Sequence, residues 1–172
     1  MVYITGITGF IGQNLSQYLG ENVVGVNLRN HESFSFEKGA AVVHLAGKAH
    51  DLKKTSQASE YFAVNTELTK KVFDAFLASE VGVFVFMSTI KAAEGKDIGA
   101  SAYSQSKYQA EEYILSQKVP KGKRVYILRP VMVHGPGNKG NLNLLFGVVK
   151  RLGMWPLAAF ENKRSFVSVE NL

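Results

Sequence analysis

The 172-residue sequence contains no cysteine, only four prolines and one tryptophan, and no long hydrophobic run. The absence of cysteine excludes disulfides, thiolate nucleophiles and cysteine-ligated zinc or iron–sulfur sites. The longest apolar run, Val81 to Met87, is too short to span a bilayer, and residues 1–4 lack the basic start of a secretory signal. We therefore expect a cytoplasmic, globular protein with no membrane role.

The net charge of +6 is spread over short basic pairs that alternate with acidic residues. No nucleic-acid recognition motif accompanies this charge, so an anionic small molecule such as a dinucleotide or nucleotide sugar is the expected partner, and nucleic acid is not. The four histidines do not form an HExxH motif, and we predict no metal site.

Apolar runs alternate along the chain with segments of helical periodicity. Strands are predicted over residues 2–5, 23–26, 41–45, 81–87 and 125–128, and helices over 10–19, 57–78, 101–117 and 141–152. This order predicts an α/β fold, a doubly wound parallel sheet with helices on both faces and strands buried on both faces. Residues 28–39 are too few for another helix and strand, so one sheet edge is expected to be short or missing.

Three glycines follow the first predicted strand at the spacing G-x-x-G-x-x-G. Gly6 allows a tight turn, Gly9 lets backbone N–H groups approach a pyrophosphate, and Gly12 lets the helix pack closely on the strand. Phe10 and Ile11 lie within the same loop. A plain glycine-rich turn is the alternative, but the flanking strand and amphipathic helix favour dinucleotide binding.

The second predicted strand ends at Asn27, where dinucleotide-binding proteins usually carry an acidic residue that bonds the adenosine ribose. Asn27 can bond a ribose hydroxyl but does not repel a 2′-phosphate, and Arg29 can accommodate one. The choice between NAD and NADP is therefore open. A turn residue and a solvated cation are the structural alternatives for this pair.

Tyr103 and Lys107 are four residues apart on a predicted helix and so share one face. An ammonium beside a phenol lowers the phenol pKa, which predicts an acid–base role for Tyr103. Ser88 and Thr89 follow a buried strand, at the sheet edge where ligands bind, and a hydroxyl there can orient a substrate. An ordinary helix face and a Ser/Thr turn are the alternatives.

Five ordered motifs carry a family resemblance: ITGITGFIGQNL, HLAG, ST, YSQSK and LRPVMVHGPG. Together they resemble the extended short-chain dehydrogenase/reductase family, the NAD-dependent epimerases and dehydratases of nucleotide sugars, which have a Rossmann-like fold. The later stretches GPGNKGN, WPL and KRSFVSVENL most resemble the UDP-sugar 4-epimerase-like branch of surface-polysaccharide synthesis.

The resemblance implies a role for individual residues. Thr89, Tyr103 and Lys107 match the catalytic residues, and Lys107 would also hold the nicotinamide ribose. The remaining implied contacts are to the cofactor, by Leu45, Ala46, Gly47, Asn65 and Pro130, and to the substrate, by Ser88 and Arg164.

The resemblance also implies a domain plan. Residues 1–172 form a single NAD(P)-binding Rossmann-like domain, and residues 135–172 are the start of a truncated substrate-binding region, whose C-terminal part is largely absent. A chain of this length is expected to bind dinucleotide but to epimerise poorly. A homodimer through the helices that contain Tyr61 and Tyr103 is a further expectation.

The implied function is that of a nucleotide-sugar epimerase, in which hydride passes from a sugar carbon to NAD while Tyr103 takes the hydroxyl proton. Ile90 and Lys91 follow Thr89 where a dehydratase would carry an acid–base pair, which argues against dehydration. A nucleotide-ketosugar reductase and a non-catalytic NAD(P)-binding module or redox sensor are the alternatives.

Overall fold

A computed structural model describes residues 1–28, 35–49, 57–138, 141–154 and 163–172, without the side chains of residues 141–144. The chain divides into two compact units, Met1–Pro130 and Val131–Leu172. The elements of the first unit are β1 (Val2–Thr5), α1 (Phe10–Leu19), β2 (Val23–Val26), β3 (Ala41–His44), α2 (Ala58–Tyr61), a π-helical segment (Phe62–Glu67), α3 (Leu68–Ala78), β4 (Val83–Met87), α4 (Ala102–Ser116) and β5 (Arg124–Leu128). Short 3₁₀ turns lie at Gly20–Asn22 and Ile90–Glu94.

The first unit is built on a five-stranded parallel sheet of order β2-β1-β3-β4-β5. From β1 the chain passes to β2 on one side and then to β3 on the other. This reversal makes the carboxyl ends of β1 and β3 a topological switch point, where open α/β sheets bind ligands. The predicted Rossmann-like α/β fold is confirmed.

Between β2 and β3, residues 27–28 and 35–40 form no strand. Among the residues described between β2 and β3, no further strand therefore pairs with the outer edge of β2, as the sequence predicts.

The core lies on the sheet face that carries Val42 and Phe84. Helices α3 and α4 pack on this face, and the fully buried side chains there include Phe73, Phe76 and Ile114. Burying a side chain of this size contributes about 1.5–3 kcal/mol, so this cluster anchors α4 against the sheet.

The prediction that strands lacking polar alternation are buried on both faces is wrong for the edge strand β2, and the other edge strand, β5, is also partly exposed. No residue of β2 is fully buried, and in β5 Arg124 and Tyr126 are exposed. Tyr126 is 47% exposed because it points to the face opposite Val125, which packs against the core. The fourth strand also begins at Val83 and not at Val81.

The helix predicted over residues 57–78 forms, but its centre is π-helical. Gln57 begins it with a capping box to Glu60, and the π-helical segment contains the buried residues Asn65 and Thr66. Such segments occur frequently at functional sites.

The second unit contains β6 (Met132–His134), α5 (Asn141–Leu152), β7 (Phe166–Ser168) and a 3₁₀ turn, Val169–Asn171. Strands β6 and β7 pair in parallel. The unit begins at Val131. The predicted start of a substrate-binding region at residue 135 stays a prediction. In the part of the chain that the structure describes, no helix has the length and apolarity needed to cross a membrane.

Candidate active site

The glycine turn after β1 is closed by backbone contacts. Gly6 has a φ of 70°, and a Cβ there would lie 2.7 Å from the Ala46 nitrogen. The Gly9 N–H donates to the Gly6 carbonyl at 2.9 Å, and Gly9 is the N-cap of α1. Gly12 is buried, and a Cβ there would overlap the Gly6 carbonyl oxygen and lie 2.7 Å from Ile7 Cα. The turn and the helix can pack this closely only because they carry no side chains at these positions.

The start of α1 suits an anion. Its N-cap makes no side-chain hydrogen bond, and its first turn, which includes Phe10 and Ile11, contains no acidic residue. Backbone N–H groups and the positive end of the helix dipole therefore face the turn without a competing carboxylate. This cradle fits the pyrophosphate of a dinucleotide.

The loop after β3 lies directly beside this turn. Ala46 meets Gly6, and a Cβ on Gly47 would lie 3.1 Å from Asn65 Oδ1 and 3.2 Å from Lys107 Nζ. The Leu45 N–H donates to the Thr5 carbonyl at 3.2 Å. Small residues after β3 thus allow Asn65 and Lys107 to approach the loop.

Asn65, at the centre of the π-helical segment, is fully buried. Its Oδ1 accepts from the Lys48 N–H at 2.8 Å, and its Nδ2 donates to the Lys48 carbonyl and to Ser106 Oγ, both at 3.0 Å. The amide therefore fixes the loop that follows β3. Its predicted contact with a cofactor stays a prediction.

His44 connects the glycine turn to this segment. The Ala46 N–H donates to Thr5 Oγ1 at 3.2 Å, and Thr69 Oγ1 donates to the Asn65 carbonyl at 2.8 Å. The His44 ring lies between the two hydroxyls, with Nδ1 2.7 Å from Thr5 Oγ1 and Nε2 2.9 Å from Thr69 Oγ1. Because Thr69 gives its proton to Asn65, Nε2–H donates to Thr69 and Nδ1 accepts from Thr5.

This position keeps His44 neutral. Burial, and then the positive charge of Lys107, lowers the pKa of His44 from 6.5 to about 3. This environment is that of a packed strand-end histidine without an acid–base role.

The neutral His44 makes the protein sensitive to acid. Between pH 6.5 and about 3 the unfolded chain binds a proton at His44 that the folded protein does not. The free energy of unfolding is therefore expected to fall with decreasing pH by about 1.4 kcal/mol per pH unit below about pH 6. Urea denaturation at several pH values measures this slope, and His44→Gln, which cannot titrate, is expected to have a shallower one. Equal slopes for the two proteins, or an NMR titration of His44 near its ordinary pKa, would contradict this.

Thr89 and Tyr103 come from two different elements. Thr89 follows β4 by two residues and caps the 3₁₀ turn through its Oγ1, which accepts from the Lys91 N–H at 3.3 Å. Tyr103 lies in the first turn of α4, which Ser101 caps. A side-chain hydrogen bond joins Thr89 to Tyr103.

The pKa of Tyr103 is raised, because burial disfavours the phenolate more than the hydrogen bond from Thr89 favours it. The prediction that Lys107 lowers this pKa is wrong for this structure. The Lys107 ammonium donates to the Met87 carbonyl at 2.8 Å and lies 4.6 Å from the Phe86 ring centre. Spacing along a helix places two residues on one face but does not determine where a long side chain ends.

Lys107 is 4% exposed. Burial lowers its pKa from 10.5 to about 8, and the negative charge of Glu111 opposes this. The pKa of Lys107 is therefore closer to neutral than that of an exposed lysine, as is common at functional sites.

The remaining predicted residues have varied surroundings. Ser88 is 4% exposed and donates its hydroxyl to Glu111, so its predicted contact with substrate stays a prediction. The Pro130 carbonyl accepts from the Ile90 N–H at 3.1 Å. Asn27 is exposed after β2.

The predicted contacts of the two arginines stay predictions. Arg29 lies outside the described residues, and Arg164 is exposed in the second unit. Within the described ranges, no three His, Asp or Glu side chains group as metal ligands do.

Sequence reasoning missed Glu111, a carboxylate buried beside the predicted catalytic residues. It follows Lys107 by four residues and Tyr103 by eight, so helical spacing alone places all three on one face. That spacing was the available signal, because a charged residue on a buried helix face is rarely without a partner.

The chain was compared with known proteins. A family model described as the NAD dependent epimerase/dehydratase family matches residues 2–172. The UDP-glucose 4-epimerase of Vibrio cholerae is 30% identical over an alignment 208 residues long, which covers 99% of this chain and 63% of that relative. The chain thus spans less than two thirds of that relative's length.

Two solved structures share the fold. The structure of MoeE5 in complex with UDP-glucose and NAD matches with a TM-score of 0.73 and 22% identity, covering 98% of this chain and 68% of that one. The structure of RMD from Pseudomonas aeruginosa complexed with NADPH matches with a TM-score of 0.70 and 20% identity, covering 98% and 70%. At these identities the likeness concerns the fold.

Proposed function

Because the chain belongs to the NAD dependent epimerase/dehydratase family, we propose that it binds a nicotinamide dinucleotide and uses it to epimerise a UDP-linked sugar at carbon 4. The observation that carries this proposal is the hydrogen bond between Thr89 and Tyr103, one helical turn from the buried Lys107. These groups follow β4 and begin α4, at the same sheet edge as the glycine turn after β1.

The cofactor would be held at positions that leave space for it or that offer backbone N–H donors. Gly6, Gly9 and Gly12 would cradle the pyrophosphate, with Ala46 and Gly47 along the adjoining strand end. When bound, the dinucleotide supplies a site that accepts a hydride and returns it. We propose NAD as the cofactor. NADP is the alternative, because Asn27 carries no negative charge that would repel a 2′-phosphate.

In the proposed reaction, the Tyr103 hydroxyl exchanges a proton with the sugar hydroxyl whose carbon gives up the hydride. Thr89 would hold that sugar hydroxyl in line with Tyr103, because its own hydroxyl already bonds the phenol. Lys107 would hold the nicotinamide ribose, as the family resemblance implies. The resulting 4-keto sugar would then receive the hydride on its other face, with Tyr103 returning the proton.

The choice of a UDP-sugar rests on the 30% identity with a UDP-glucose 4-epimerase, which concerns nearly the whole of this chain. The lack of an acid–base pair after Thr89, where Ile90 and Lys91 stand, favours epimerisation over dehydration.

The test uses purified protein. Mass spectrometry of the small molecules released on denaturation is expected to detect NAD or NADP. Incubation with UDP-galactose is expected to produce UDP-glucose slowly, because a chain of this length is expected to epimerise poorly. Dinucleotide without any interconversion would favour a non-catalytic binding module, and the absence of dinucleotide binding would contradict both functions.

A further inference from the structure

Glu111, on α4, is a carboxylate that is only 1% exposed. The Ser88 hydroxyl donates to its Oε1, and Arg129 Nε donates to Oε1 at 3.1 Å and to Oε2 at 3.0 Å. Arg129 Nη2 also donates to Oε2. Burying a charge is costly unless such partners compensate it, so this arrangement holds three side chains in one geometry.

The three side chains come from three elements. Ser88 follows β4, Arg129 follows β5, and Glu111 lies on α4. The Ser88 N–H also donates to the Leu128 carbonyl at 2.8 Å, which continues the pairing with β5 beyond the end of β4. Glu111 therefore ties the joined ends of these strands to the helix.

The two elements that Glu111 ties together are those that carry the predicted catalytic hydroxyls. Thr89 is the residue after Ser88, and Tyr103 lies two helical turns before Glu111 on the same face of α4. The hydrogen bond between Thr89 and Tyr103 spans the same junction. A change in the Glu111 contacts would change the separation of these hydroxyls.

We propose that Glu111 is a positioning residue that holds the Thr89–Tyr103 pair together through Ser88 and Arg129 and supplies the negative charge that faces Lys107. Its effect on catalysis rests on the proposed function. Its effects on geometry and charge are measurable without a substrate.

Burial disfavours the charged ammonium of Lys107, so the ammonium needs a negative charge nearby, such as that of Glu111. Tyr103, one turn earlier on α4, is the other titratable group on that helix face, and burial keeps it protonated by raising its pKa. The groups that approach Lys107 from the other described elements are uncharged: the neutral His44 from β3, Gly47 from the following loop, and the Phe86 ring and Met87 carbonyl from β4.

The first test compares Glu111→Gln with Glu112→Gln, which makes the same charge change at an exposed neighbour. NMR of lysine-labelled protein, with the Lys107 signal assigned by its loss in Lys107→Met, measures the pKa of Lys107. We expect Glu111→Gln to lower it by about one unit and Glu112→Gln to leave it unchanged. An unchanged value in Glu111→Gln would overturn the proposal, and so would a rise toward the ordinary lysine pKa, which would indicate a purely structural role.

The second test uses Ser88→Ala, which keeps the Glu111–Arg129 pair and removes the tie to β4. We expect the pKa of Lys107 to stay constant and that of Tyr103 to rise by about half a unit, because the hydrogen bond from Thr89 weakens. Ultraviolet difference titration against Tyr103→Phe isolates this tyrosine. An unchanged Tyr103 titration would overturn the positioning role.

Both titrations are made on the protein alone. If the wild-type protein fails to convert UDP-galactose, the proposed function fails while the titrations still decide the role of Glu111. If it does convert UDP-galactose, Glu111→Gln is expected to lower kcat more than it raises KM, and an unchanged kcat would contradict the proposal.

Discussion

Replacement of Tyr103 by phenylalanine is expected to lower the rate of UDP-sugar interconversion by about 10²- to 10⁴-fold, the usual contribution of a positioned acid–base group. The substitution removes only the hydroxyl that bonds Thr89. The ring remains, and with it the edge contact to Tyr61, whose centre is 6.4 Å away. Packing at the start of α4 should therefore persist, and the affinity for NAD should change less than about threefold.

Initial rates with UDP-galactose and calorimetric titration with NAD measure these two quantities. Tyr126→Phe is the matched control, because Tyr126 is half exposed on β5 and loses the same hydroxyl. A Tyr103→Phe protein that turns over as fast as the Tyr126→Phe protein would exclude Tyr103 as the proton-transferring group.

Replacement of Gly12 by alanine is expected to weaken NAD binding by at least about 100-fold and to lower the free energy of unfolding by about 1–3 kcal/mol. The new methyl group would meet the Gly6 carbonyl oxygen and the Ile7 backbone, neither of which can rotate away. The glycine turn must then move away from α1, and the cradle for the pyrophosphate opens.

The sign of the stability change separates this steric effect from helix propensity. Alanine is favoured over glycine inside a helix by about 1 kcal/mol, so without the close contact the variant would be more stable. Gly147→Ala is the control, because Gly147 lies within α5 and a Cβ there meets nothing within 4 Å. Urea denaturation and NAD titration of both variants decide the matter, and a more stable Gly12→Ala protein that still binds NAD would contradict the assigned role of Gly12.

The glycine turn was predictable because its information is local. Gly9 and Gly12 have their roles within one strand, one turn and one helix, and the periodicity on either side identifies those elements. The ends of α4 were predicted to within one residue for the same reason, since Ser101 is a side-chain cap at the position where the pattern begins. The π-helical segment was not predicted, because the periodic pattern of apolar residues continues through it.

The electrostatics were less predictable. A lysine four residues after a tyrosine indicates a lowered phenol pKa, yet Tyr103 is half-buried and its pKa is raised, because desolvation disfavours the phenolate. Burial depends on Tyr61 and on the strand ends, which are distant in sequence. Edge strands such as β2 likewise have the composition of buried strands, because an apolar run does not show how many neighbours a strand will have.

The order of strands and helices, the glycine turn and the shared helix face of Tyr103 and Lys107 were determined by the sequence alone, because each depends on residues that are near one another in the chain. Only the tertiary structure decided which polar groups meet. Thr5 and His44 are 39 residues apart, and Ser88 and Glu111 are 23 apart. Their pairing follows from the order and register of the parallel strands, which bring distant strand ends to one edge and bury them there, where each polar group must find a partner.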